Sequence, residues 1–104
     1  MIPTPAAGGA HQAYVYLLRS RQDGTWYVGW TTNPLRRLVE HNQGQSVFTR
    51  RKMPWQLVGF EPYATIDAAK AREWALKRST RSLTLFKKRL LNRATPGRPR
   101  QVWG

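Results

Sequence analysis

The sequence predicts an α+β fold: a small three-stranded, mainly antiparallel sheet flanked by helices, in the order β-β-α-β-α-α. Three observations predict it. Apolar runs rich in aromatic and β-branched residues recur at 13–20, 25–31 and 55–63. Helix-start signals stand at Asn33-Pro34 and Thr65. The chain has 104 residues and no internal repeat, room for one domain with one modest core.

Residues 13–20 form the first strand, and Gln22-Asp23-Gly24 is a turn signal leading into the second, 25–31. A two-residue turn at Asp23-Gly24 would pair Ser20 with Tyr27 and Leu18 with Gly29. Because side chains alternate along a strand, Tyr14 and Tyr16 then share a hairpin face with Tyr27. Asn33 is an N-cap with Pro34 at the first helical position, and Gly44 is placed to end that helix. Arg37 and His41, four apart, fall on one helical face, while Leu35, Leu38 and Val39 are expected to contact the sheet. A basic loop occupies 45–54 and the third strand 55–63. Thr65 caps a second helix to about residue 78, with Ala68, Ala69, Ala75 and Leu76 as its expected packing stripe. Residues 79–82 are read as a break before a last helix ending near 93. The folded part is thus expected at 12–92, with a flexible Pro/Gly/Ala segment at 1–11 and a flexible basic tail at 93–104 that contains Trp103.

Eighteen Lys and Arg against five Asp and Glu leave a net charge of +13. Such a density of positive charge costs stability by self-repulsion and points to a polyanionic partner, nucleic acid before an acidic membrane surface. Zero cysteines exclude disulfides, thiolate zinc sites and a thiol nucleophile. No run is long or apolar enough for a signal peptide or a membrane span, so a soluble, cytoplasmic protein with no membrane partner is expected.

The residues suited to chemistry are two phenols, Tyr16 and Tyr27, the guanidinium of Arg37 and the imidazole of His41. Brought together by a hairpin and a helix, they suit phosphate chemistry. Arg50, Arg51 and Lys52 in the loop, with Arg78, Arg81, Lys87, Lys88 and Arg89 further on, have the character of phosphate contacts. Interleaved Trp30, Phe48 and Trp55 could stack on unpaired bases, Trp55 being the better candidate for the core.

These spacings carry a resemblance. The stretch 15–44, V-Y-L-L-x(8)-Y-V-G-W-T-T-N-P-L-R-R-L-V-E-H-N-Q-G, resembles the GIY-YIG nuclease family. Tyr14-Val15-Tyr16 matches the first named motif and Tyr27-Val28-Gly29 the second. Arg37, ten residues after Tyr27, matches the family's phosphate-binding arginine; His41 matches a histidine present in many members; and Glu73, in A-R-E-W-A-L-K, matches the metal-binding glutamate. The nearest branch holds small single-domain bacterial proteins and the nuclease half of eukaryotic structure-specific endonucleases, and the likeness covers about 13–91. There are departures. Tyr14 stands for the first motif's glycine, Trp30 stands where some relatives have a lysine, and Leu85 to Lys88 stand where many carry an asparagine.

The resemblance implies that Glu73 ligates one divalent ion, Mg²⁺ or Mn²⁺, completed by water and substrate oxygen. Arg37 would neutralise the scissile phosphate, and Tyr16, Tyr27 or His41 would take the proton from the attacking water. A phenol serves as that base only if its pKa falls, a shift that Arg37 and a metal ion could produce. Gly29 would allow a phosphate or a helix to approach closely, and Trp30, Arg36, Arg50, Arg51, Lys52, Lys77 and Arg78 would contact nucleic acid. Each residue has a plainer alternative: Tyr14, Tyr16 and Tyr27 as strand packing, Arg37 as a solvated charge, His41 as a helix-end cation, and Glu73 as an ion-pair partner of Lys70 or Lys77.

The expected function is a metal-dependent DNA endonuclease acting on branched or single-stranded DNA with little base specificity, a monomer being sufficient. The alternatives are a non-catalytic nucleic-acid-binding module with a decayed site, or an RNA- or ribosome-associated structural protein.

Overall fold

The computed structural model describes residues 12–94; the segment 1–11 and the tail from 95 onward, with Trp103, lie outside the described residues. Strand β1 spans Ala13–Ser20, β2 Trp26–Thr31 and β3 Trp55–Tyr63; helix α1 spans Pro34–Asn42, α2 Ile66–Arg78 and α3 Thr80–Ala94. A short 3-10 turn at Arg50–Lys52 lies in the basic loop. The sheet order is β2-β1-β3, antiparallel throughout, so β1 is the central strand.

The hairpin register differs from the two-residue-turn expectation. Tyr16 pairs with Gly29 and Leu18 with Tyr27. The connection is a longer loop, closed by Ser20 N–H donating to the Thr25 carbonyl and Gly24 N–H to the Ser20 carbonyl. Its side chains select it. Ser20 Oγ accepts from the Gln22 and Asp23 amides, and Asp23 Oδ1 accepts from the Thr25 amide and hydroxyl. These local bonds satisfy the turn backbone in a way a tight turn would forgo. The slip is two residues, so each side chain keeps its predicted face.

Those two faces do different work. Ala13, Val15, Leu17 and Val28 pack against Ala69 and Leu76 of α2 and Phe86 and Leu90 of α3, forming the main core. Tyr16, Leu18 and Trp55 form a second cluster with Tyr27, Leu38, Met53, Leu57 and Phe60 on the opposite face. Tyr14, fully buried, sets its ring edge-on to Phe60 at 5.3 Å. A bulge opposite Leu17 and Leu18 admits one extra residue, Val58, into β3.

Asn33 caps α1 by accepting from the Arg36 amide, and Thr65 caps α2 by accepting from the Ala68 amide. Gly44 follows α1 at φ +78°, a conformation that favours glycine. Three packing expectations are corrected. Of the α1 apolar residues, Leu38 joins the second cluster while Leu35 and Val39 are about half exposed, because only one side of this short helix meets the sheet. On α2, Ala69 and Leu76 are buried and Ala68 and Ala75 exposed. The break between α2 and α3 is Ser79 alone, since its hydroxyl caps the Ser82 amide and lets α3 begin at once.

Candidate active site

The site lies on the second-cluster face, and the central strand supplies its innermost group. Tyr16 points from β1 toward α1, where its hydroxyl meets His41 Nε2 at 2.8 Å. His41 Nδ1 meets Thr49 Oγ1 at 2.6 Å, and both His41 and Thr49 are fully buried. Both ring nitrogens are thus engaged. Thr49 is held in turn: the Trp55 indole N–H donates to its carbonyl at 2.9 Å, and Asn42 clamps Trp55 with a bond to each backbone group. Trp55 is therefore core and not a free stacking surface.

Gly29 explains how Tyr16 fits. A Cβ at position 29 would lie 2.5 Å from the Tyr16 hydroxyl oxygen and 2.6 Å from the ring carbon bearing it. The group that approaches this glycine closely is the chain's own phenol. Tyr27 stands beside it, its ring centroid 6.3 Å from that of Tyr16, 5.2 Å from His41 and 6.2 Å from Trp55.

Two charged pairs border these rings. Arg37 Nη1 donates to Glu40 Oε1 at 3.0 Å, with Arg36 3.9 Å from the same carboxylate. Glu73 on α2 pairs with Lys77 at 2.8 Å, and the Lys77 ammonium lies 5.1 Å over the Tyr27 ring. The five residues proposed for chemistry from sequence thus fall in one neighbourhood, drawn from β1, β2, α1 and α2.

Electrostatics separates the two central groups. Burial pushes the Tyr16 phenol up to about 12, and the Arg37 guanidinium opposes that shift without overcoming it. The downward shift that would make Tyr16 a base by itself is therefore absent from this site. Burial pushes the His41 imidazole down to about 4, helped by the positive charge of Arg37 and only partly offset by Glu40. Near neutrality the pair is a neutral phenol against a neutral imidazole.

The proposed nucleic-acid contacts divide into free and engaged groups. Arg50 and Arg51 are exposed, with no ion pair among the described residues. Lys52 pairs with Asp23, Lys77 with Glu73, and Arg78 stacks at 4.4 Å over the half-exposed Trp74. Trp30 is half-buried under Lys70 at 5.6 Å, and Lys87 lies 5.0 Å over Trp26. Arg89 is tied to Glu61 by two bonds, at 2.7 and 3.0 Å. Burial alone would raise the Glu61 carboxyl, but bonds from Tyr63 and Arg89 outweigh it and hold the group below the usual range.

Sequence reasoning missed Thr49 and Glu40. Glu40 was within reach, since it lies three residues after Arg37 on the same helix. Thr49 carries no spacing signal, because a loop brings it to His41.

Among the described residues no three His, Cys, Asp or Glu side chains gather into a metal cage. Two carboxylates border the site: Glu40 is taken up by Arg36 and Arg37, and Glu73 is the one that matches the family's metal-binding position. Its hard oxygens fit an ion such as Mg²⁺ or Mn²⁺, which commonly keeps water and substrate phosphate as its other ligands.

Known proteins with this sequence pattern complete the picture. The family model described as the GIY-YIG catalytic domain matches residues 12–89. A UPF0213 protein of Streptococcus pneumoniae is 40% identical over 72 residues, covering 68% of this chain and 72% of that protein. One from Haloquadratum walsbyi is 44% identical over 69 residues, covering 65% and 76%. The solution structure of the UPF0213 protein of Bacillus halodurans is 33% identical, covers 71% of this chain and 80% of that one, and aligns with a TM-score of 0.45. With the family pattern running from the start of β1 into the last turns of α3, the chain belongs to the GIY-YIG nuclease superfamily.

Proposed function

We propose that the protein is a divalent-metal-dependent DNA endonuclease that hydrolyses phosphodiester bonds in branched or single-stranded DNA with little sequence specificity. The observation that carries this reading is the buried Tyr16–His41 hydrogen bond, set between the guanidinium of Arg37 and the Tyr27 ring.

The neutral pair suits a relay. With Nδ1–H donating to Thr49, Nε2 is the acceptor and takes the Tyr16 proton as the phenol oxygen takes one from water, so no free phenolate needs to form beforehand. The phenol stays neutral overall and the proton ends on His41, whose pKa near 4 makes it a weak acceptor until the negative phosphate offsets the charge of Arg37. Arg37 holds the scissile phosphate, a role that fits a planar, permanently charged fork. Glu73 would hold a Mg²⁺ or Mn²⁺ ion, which when bound supplies charge to the phosphoryl oxygen and the leaving alkoxide. A second reading, a non-catalytic nucleic-acid binder, is favoured by one observation: Glu73 is already neutralised by Lys77.

The test is cleavage of end-labelled single-stranded, duplex, flap and four-way-junction DNA in Mg²⁺, Mn²⁺ or EDTA, with Glu73→Ala and Tyr16→Phe beside the wild type. Metal-dependent cutting that both substitutions abolish while binding is retained supports the nuclease. Wild-type binding without cutting on every substrate selects the second reading.

A further inference from the structure

The loop between His41 and β3 ends in an apolar tip that folding does not use. Ser46 and Thr49 are buried, yet Val47 is 64% and Phe48 84% exposed between them. The tip is held in place: the Thr49 and Arg50 amides both donate to the Ser46 carbonyl, at 3.2 and 3.0 Å. Thr49 is pinned by His41 on one side and Trp55 on the other. A rigid turn therefore keeps an aromatic ring in water one residue from a side chain that touches the proposed relay. Holding a Phe in water forgoes the stabilisation its burial would contribute.

The chemistry next to the ring indicates what covers it. Arg50 and Arg51 come two and three residues after the ring, exposed and without ion pairs among the described residues. A flat apolar face beside two free guanidiniums matches a nucleotide, base against ring and phosphate against cation. In an intact duplex, base faces are covered by their neighbours. The ring can stack only where a base is unstacked.

We infer that Phe48 is a stacking platform for an unpaired base flanking the phosphate to be cut, with Arg50 and Arg51 holding that strand's backbone. The inference rests on the endonuclease reading and sharpens it, placing selection for single-stranded or branched DNA in one side chain of this loop. A protein partner seated on Val47 and Phe48 is the competing occupant.

The experiment compares wild type, Phe48→Ala and Phe48→Trp by fluorescence anisotropy on a labelled single strand, a flap and a blunt duplex, without metal so that no cutting occurs. The expected result is that Phe48→Ala weakens single-strand and flap binding by about tenfold, the scale of one base–aromatic stack, while duplex binding stays within about twofold and Phe48→Trp binds like wild type. Thermal melting should be unchanged, as the ring is exposed. Equal loss on all three DNAs, or loss on none, overturns the inference, the latter pointing to a protein partner. Cleavage by the wild type in Mn²⁺ is scored separately, so a protein that binds as expected without cutting sinks the nuclease reading alone.

Discussion

The ring of Tyr16 lies across the α-carbon of Gly29, its register partner on β2, so closely that no side chain fits between them. Gly29→Ala should therefore expel the phenol from its place beside His41. The expected cost is about 1–3 kcal/mol of stability, the range for overpacking a filled site. Cleavage should be lost with it. Urea unfolding of Gly29→Ala, Tyr16→Val and the double variant checks this: the two substitutions should be strongly non-additive, because removing the ring relieves the clash.

His41 should make the fold sensitive to mild acid. Its folded-state pKa, near 4, lies below the ordinary value of 6.5. Between those values the unfolded chain binds a proton that the folded chain refuses, so stability is fully present above pH 6.5 and falls as the pH drops toward 4. The loss should be on the order of 3 kcal/mol and should level off below about pH 4 as far as this group is concerned. Denaturant titrations across that range should show a flatter profile for His41→Gln than for wild type.

In the proposed relay Thr49 would be a positioning residue, acting through the imidazole it contacts. Thr49→Val keeps its shape but leaves Nδ1 without a partner, so the tautomer with Nε2 as acceptor loses its anchor. Turnover should drop by about tenfold or more. Substrate affinity should hold and the acidic limb of the pH–rate profile should move. Thr49→Ser should restore both, a rescue that a purely space-filling role would not produce.

Lys77 holds the Glu73 carboxylate in an ion pair, so at the proposed metal site it would compete with a divalent cation. Lys77→Met should tighten Mn²⁺ binding by roughly two- to fivefold, the modest scale of an exposed ion pair. Electron paramagnetic resonance of free Mn²⁺ measures this directly, and Glu73→Ala should abolish the difference.

Strand and helix positions were legible because their signals are local. Asn33-Pro34 and Thr65 cap helices by bonds to amides three residues on, and the alternation in 13–20 fixed which side chains face α1. The hairpin register was not legible from Asp23-Gly24, since Ser20 competes for the turn amides and draws the loop open. Tyr16, Tyr27, Arg37, His41 and Glu73 were proposed from their family spacing, and the fold gathers them around the Tyr16 ring. Their protonation was not legible: the raised phenol and lowered imidazole follow from burial, which depends on Asn42 at the end of α1, Thr49 in the loop after it and Trp55 at the start of β3 closing over the site. The free cations were equally hidden. Four of the five acids are engaged in ion pairs, and only the fold decides that Glu61 takes Arg89 while Arg50 and Arg51 go without.

The division of labour between the two faces of the sheet has an evolutionary consequence. The core that keeps the domain folded sits mainly against α2 and α3, whereas the Tyr16 hydroxyl hangs from the other side of the same central strand. A Tyr16→Phe change would delete one oxygen and leave the packing ring in place. Under the proposed relay, a descendant of this gene would pass from cutter to silent binder in a single step with its fold intact.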